Sequence, residues 1–239
     1  MPRLRESGKN QADFNLYPDC FEDYSEAVRN KFRSAYIGQI HPNEAVRKRN
    51  FPIRFDSLKM EMNMSKSLIA FYSRKGSNYF DGKIMDLPVG NTEVIAKKIA
   101  ALTGSELFHI EAVKPYPADY DESTEVAKIE LGENARPELT ASVPDFDAYD
   151  VIYLGYPIWW GVMPMPVLTF LESYNFSGKT IAPFCTHEGS GLGMSERYIR
   201  QACPQATVLP GLAIIGHLRE KADQSLKDWL KKTGLAKQG

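Results

Sequence analysis

Cysteine is scarce in this chain, and the few cysteines do not pair. The 239 residues hold three, Cys20, Cys185 and Cys203, with no C-x-x-C spacing among them. An odd set spaced this way argues against a disulfide frame or a zinc site and suits reduced thiols in a cytoplasmic protein. Long apolar runs are missing too. None reaches the ~18 residues that cross a bilayer, so no membrane span is expected. The start, MPRLRESGKNQADF, has basic residues but no apolar stretch behind them, so it does not read as a secretory signal. Net charge is also lacking. A formal charge of −1 gives no electrostatic basis for binding nucleic acid. No internal repeat or low-complexity tract appears.

What is there is the composition of a globular protein, 43% hydrophobic and 25% charged. The charge divides unevenly. Residues 1–66 carry 12 Lys and Arg against 9 Asp and Glu, and the remainder carries 17 against 21. In the first segment, Phe21, Tyr24, Val28, Phe32 and Tyr36 recur at helical spacing, which predicts one amphipathic helix. A single helix cannot bury its own apolar face. Met60, Met62 and Met64 follow shortly before the first clear strand and offer alternative starts. Residues 1–66 are therefore set apart as an N-terminal extension without an assigned role, and residues 67–239 as the main domain.

That domain alternates strands and helices. Ser67 to Ser73 (SLIAFYS) reads as a strand. Asn78–Phe80 and Lys83–Met85, joined by Asp81-Gly82, read as a hairpin, because Asp-Gly tolerates the positive φ of a two-residue turn. Asn91 reads as the cap of a helix through Leu102, with Gly104 ending it. A strand near residues 106–111 and a helix from Asp121 to about Ile129 come next. Val151 to Leu154 is a short apolar run suited to a strand buried on both faces. Beyond it the spacing predicts a helix through Tyr174, a strand over Thr180 to Cys185, a helix from Ser195 to Ala202, one last strand between Thr207 and Ile215, and a closing helix around Leu226 and Trp229. Five such alternations predict an α/β fold, a doubly wound parallel sheet with helices on both faces.

Three loops then gather at the C-terminal ends of the strands, where open α/β sheets bind ligands. The first pairs Ser73 and Arg74 with Asn91 and Thr92. It offers hydroxyls, an amide and a helix N-terminus, which is equipment for a phosphate monoester. The second, Pro157, Ile158, Trp159, Trp160 and Gly161, offers flat apolar rings; two adjacent tryptophans cannot both easily point inward. The third runs from Thr186 and His187 to Gly189 and Ser190 and offers backbone N–H groups with little bulk. A ligand with a phosphate at one end and a planar ring at the other fits all three. Flavin mononucleotide (FMN) has that shape. Gly161 is the plausible hinge of the tryptophan loop, with Gly155 as an alternative.

The motifs GYPIWWG and THEGSG, with PYPADYDE and ENARPEL, resemble the flavodoxin family over about Ser67 to Gly216. The resemblance implies a five-stranded sheet in the order 2-1-3-4-5, FMN as cofactor, and a redox role in which electrons pass through the flavin to and from a redox partner protein or an NAD(P)H-linked reductase. It departs from the family at the phosphate loop, which is commonly continuous. Here SNYFDGKIMDLP separates its two ends.

Other readings fare worse on the residues. A phospho-receiver needs acids where Ser73-Arg74 and Tyr156-Pro157 stand. A dinucleotide fingerprint fails because its third glycine falls at Met194. Cys185 with His187 lacks an orienting acid, and His217 reads as structural. The acids from Asp119 to Glu138 read as a solvated face, or as a surface for a basic redox partner. Two alternatives to an electron carrier remain open: an FMN-dependent NAD(P)H:quinone or nitro reductase, and a non-redox binding module on the same fold.

Overall fold

The computed structural model describes residues 66–236. Strand β1 (Ser67–Phe71) lies at the heart of a parallel sheet, with β4 (Glu106–His109) on one side and β5 (Val151–Pro157) on the other. Next to β5 comes β6 (Thr180–His187), whose outer edge pairs with β7 (Thr207–Val208) and then β8 (Leu212–Ile215). The expected last strand is thus two pieces in one position, both parallel to β6. Pro210 interrupts it. Proline has no N–H to give the ladder, and its carbonyl instead accepts the indole N–H of Trp229 at 2.9 Å. In order of position the sheet reads β4-β1-β5-β6-β7/β8, which is the 2-1-3-4-5 arrangement.

Both faces are covered, so successive residues along each strand go to different cores. Ile69, Phe71, Tyr153 and Phe184 pack with Ile95 and Ile99 of α1 (Asn91–Thr103) and with Leu226 and Trp229 of α5 (Asp223–Lys232). Leu68, Ala70, Ile152 and Leu154 pack with α3 (Met165–Glu172) and with Ile199 of α4 (Ser195–Ala202). Leu131 of α2 (Tyr120–Gly132) joins that second core. This double burial explains the continuous apolar run at Val151 to Leu154. Each fully buried large aliphatic contributes about 1.5–3 kcal/mol. Gly155 belongs to this packing. A Cβ there would overlap the Phe184 ring, so the glycine makes room for a neighbour.

The excursion after Ser73 is a separate two-stranded ribbon, β2 (Gly76–Phe80) with β3 (Lys83–Leu87). Asp81 and Gly82 have φ of 49° and 84°, the two-residue turn that Asp-Gly predicts. A lone hairpin is marginal in water, and side chains tie this one down. Asn78 donates to the Arg74 and Gly76 carbonyls at 3.2 and 2.9 Å, Leu87 is buried, and Phe80 lies against His217 and beneath the Arg219 guanidinium.

Candidate functional site

The start of α1 differs from the sequence expectation. Gly90 is the N-cap and Asn91 the first helical residue. A Cβ at Gly90 would lie 2.5 Å from the Arg74 carbonyl oxygen and closer still to Ser73 Oγ, so only glycine lets the β1 loop press this tightly on the helix. A glycine cap has no side chain to offer. Ser73 supplies the missing acceptor, and its Oγ takes the Glu93 N–H at 3.1 Å. The N–H groups of Asn91 and Thr92 have no hydrogen-bond partner among the described residues. Free donors at the positive end of a helix favour an anion.

Thr92 is buried, and its hydroxyl meets that of Thr186 at 2.8 Å. One of the two donates to the other, which leaves the second hydroxyl hydrogen uncommitted. This contact joins the first loop to the third. The second joins them through Ile158, whose N–H donates to the Thr186 carbonyl at 2.9 Å just past Pro157.

The tryptophan loop is a two-residue turn. Trp159 N–H donates to the Val162 carbonyl at 2.8 Å, and Val162 N–H returns to the Trp159 carbonyl at 3.1 Å. Trp160 and Gly161 at its tip have φ of 52° and 81°. Glycine takes that conformation freely; tryptophan does so only against strain. The turn sends the two rings in different directions. Trp159 packs edge-on against Tyr72 and Tyr116, with ring centroids 5.5 and 5.1 Å away. Trp160 remains 49% exposed. Its indole N–H donates to the Thr124 carbonyl at 2.8 Å, and Lys128 Nζ lies 5.2 Å over the ring. The Gly161 carbonyl accepts the Met194 N–H at 2.8 Å, which fastens this turn to the end of the third loop.

Arg74 is heavily committed within the protein. Its guanidinium donates to the carbonyls of Ser77, Pro117 (2.7 Å), Ala118 (2.6 Å) and Asp119 (3.3 Å). It clasps the β1 loop, the hairpin and the entry to α2 together. It also borders a cavity of about 390 Å³, shared with Asn78, Tyr120, Thr124, Trp159 and Trp160.

In the third loop, His187 Nδ1 accepts the Gly189 N–H at 2.9 Å. Partial burial lowers the His187 pKa, in keeping with a neutral ring whose Nδ1 is an acceptor. Gly189 and Ser190 are exposed. Burial pushes the Cys185 thiol up to about 12, so it is no nucleophile at neutral pH.

Sequence reasoning missed a cluster behind the α1 terminus. The Glu188 carboxylate accepts His217 N–H at 2.9 Å and meets His217 Nδ1 at 2.6 Å. Arg219 donates to Asn91 Oδ1 and to the Val89 carbonyl, the latter at 3.2 Å. His217 and Arg219 lie on the 3-10 turn Gly216–Lys221, more than 120 residues from Asn91, so no local pattern could join them. Among the described residues, no cluster of His, Cys, Asp and Glu suits a metal ion, and no helix is long and apolar enough to cross a membrane.

Comparison with known proteins agrees with this architecture. A family model described as Flavodoxin matches residues 78–233. Among solved structures, the chain is similar to a candidate flavoprotein from Bacteroides eggerthii, at 27% identity and a TM-score of 0.59, over 72% of this chain and 99% of that one. It is also similar to a candidate flavoprotein from Bacteroides uniformis, at 28% identity and a TM-score of 0.55, over 68% and 98% of the two chains. A flavoprotein from Lactobacillus acidophilus, solved in complex with FMN, shares the fold at 23% identity and a TM-score of 0.50, over 66% and 98%. No curated protein matches.

Proposed function

The chain belongs to the flavodoxin family, and from that premise we propose that it binds FMN at the loop edge of its sheet and exchanges electrons through the flavin. One observation carries the proposal. Two N–H groups at the start of α1 with no partner among the described residues, beside Ser73 and the Thr92–Thr186 hydroxyl pair, share a sheet edge with the half-exposed ring of Trp160.

The residues suit the cofactor's two ends. Asn91 and Thr92 would hold the phosphate through backbone N–H groups, with the uncommitted Thr hydroxyl as a further donor. Pro157, Ile158, Trp160 and Gly161 would supply an apolar wall for the ring, and His187, Gly189 and Ser190 a slim polar rim. The flavin supplies the redox chemistry when bound. The chain's own part is to bind, orient and exclude water. Trp160 is pre-set for that role by its hydrogen bond to Thr124 and needs little reordering on binding. Arg74 acts as a clasp, and its contribution to the phosphate is indirect.

Partners follow as proposals: a redox protein or an NAD(P)H-linked reductase, met in the cytoplasm. A second reading has its own support. The cavity beside Trp159 and Trp160 could admit a small acceptor, as an FMN-dependent NAD(P)H:quinone or nitro reductase requires. Steady NAD(P)H consumption by the purified protein alone would favour the reductase. The proposal as a whole is tested by the dissociation constants of FMN and riboflavin. Each charge-assisted hydrogen bond lost with the phosphate should cost roughly 1.5–3 kcal/mol. Equal constants would remove the phosphate assignment.

A further inference from the structure

A cation at the N-terminus of a helix is misplaced, because that end already carries partial positive charge. Arg219 is such a cation. Its guanidinium is fixed to Asn91, the first residue of α1, and to Val89 just before the cap. The side chain is only 13% exposed, and its Nε is fully buried with no hydrogen-bond partner among the described residues. The nearest carboxylate, Glu220, stands 3.6 Å from Nε, is itself 71% exposed, and makes no hydrogen bond to it. Glu188 is also close to Asn91 but gives its carboxylate to His217. A largely buried cation without a bonded carboxylate is costly. An anion bound at the start of α1 would relieve both the burial and the clash with the helix dipole.

The hydrogen bond also sets the direction of Asn91. A guanidinium can only donate, so Asn91 must turn Oδ1 toward Arg219. That leaves the Asn91 amide nitrogen with two hydrogens and no acceptor among the described residues. Gly216 keeps space for this amide: a Cβ there would press on the amide nitrogen and lie 2.6 Å from Glu188 Oε1, so the amide faces Gly216 and the Glu188 side chain.

We propose that Arg219 is the cation of the phosphate end, a positioning residue that acts through Asn91 by fixing the first residue of α1 and adding charge behind the anion site. The inference rests on the FMN reading above. It moves the charge expected of Arg74, which is spent on carbonyls, to a residue 145 positions further along the chain.

The test is the ratio of riboflavin to FMN dissociation constants, read from flavin fluorescence in the full chain. The wild type should prefer FMN. Arg219→Met should cut that preference tenfold or more with riboflavin affinity kept. Asn91→Ala should cut it similarly, and the double variant should lose no more than the larger single loss. Full preference in Arg219→Met, or losses that simply multiply, would overturn the proposal. Should Arg219→Met fail to fold, Asn91→Ala and Arg219→Lys decide. Lysine keeps the charge but cannot span both oxygens, so a reduced preference in both supports the proposal, and full preference in either overturns it. A wild type with no preference for FMN would instead remove the phosphate reading itself.

Discussion

Ser73 Oγ accepts the Glu93 N–H at 3.1 Å, so a residue two past the end of the first strand caps a helix whose bonded N–H lies twenty residues further on. The hairpin inserted between them splits the sequence of the proposed phosphate loop, while its two ends stay in hydrogen-bond contact. Ser73→Ala should lower stability by about 1 kcal/mol, the usual cost of a lost cap. Urea denaturation measures it, and an unchanged midpoint would mean that another group caps α1.

Arg74 should behave as a structural clasp. Arg74→Met removes its donors from four carbonyls and frees the entry to α2 from the β1 loop. The group is partly exposed, so the expected loss is modest, ~1–3 kcal/mol. Thermal melts would show the loss. The preference for FMN over riboflavin should fall less than in Arg219→Met; the reverse order would restore Arg74 as the principal phosphate cation.

Gly161 sits at φ 81° with nothing within 4 Å of where a Cβ would point. Gly161→Val should therefore cost ~1–3 kcal/mol through backbone strain, without a steric clash. FMN should remain bound. Turning the Gly161 carbonyl inward would also break its bond from Met194 N–H. A valine that hinders this turn should change the spacing of the two one-electron potentials, by about 59 mV per tenfold change in equilibrium. Spectroelectrochemistry reads that spacing, and an unchanged value would reduce Gly161 to a turn residue.

His187 gives the chain a pH-dependent contribution of defined sign. Burial holds its pKa below the ordinary value of 6.5, so below that pH the unfolded chain takes up the proton first. Its contribution is therefore fully present above pH ~6.5 and is lost as pH falls through the lowered value. Compared by denaturation between pH 8 and 5, His187→Gln should lack that part of the slope. Identical slopes in the two proteins would show that the Gly189 bond does not depend on a neutral ring.

The parallel sheet was legible because its signal is local. Apolar runs such as Val151 to Leu154 and the Asp81-Gly82 turn each announce themselves within a few residues. Gly90 displaced Asn91 as the cap because of crowding with Ser73 and Arg74, which no local propensity records. Pro210 split the last strand, although a proline in a strand pattern was itself a warning. The outward turn of Trp160 was readable from two adjacent rings in a Gly/Pro loop. The cluster of Glu188, His217 and Arg219 was not, because it is made by tertiary contact with the hairpin and with α1. The predicted helix over residues 21–36 lies outside the described residues.

A lone amphipathic helix in residues 1–66 cannot form a core of its own, and Met60, Met62 and Met64 offer alternative starts. A chain beginning at Met64 is therefore expected to fold and bind FMN about as well as the full one, by circular dichroism and flavin titration. An insoluble or flavin-free product would extend the domain into residues 1–66.

This chain is expected to hold FMN by its phosphate and its ring together. The decisive measurement is the absorption spectrum of the purified full chain, with identification of the flavin released on denaturation. One FMN per chain, with its visible bands shifted from those of free FMN, is the predicted result. A chain that stays colourless after incubation with FMN and removal of the excess, or that retains riboflavin equally well, would contradict it.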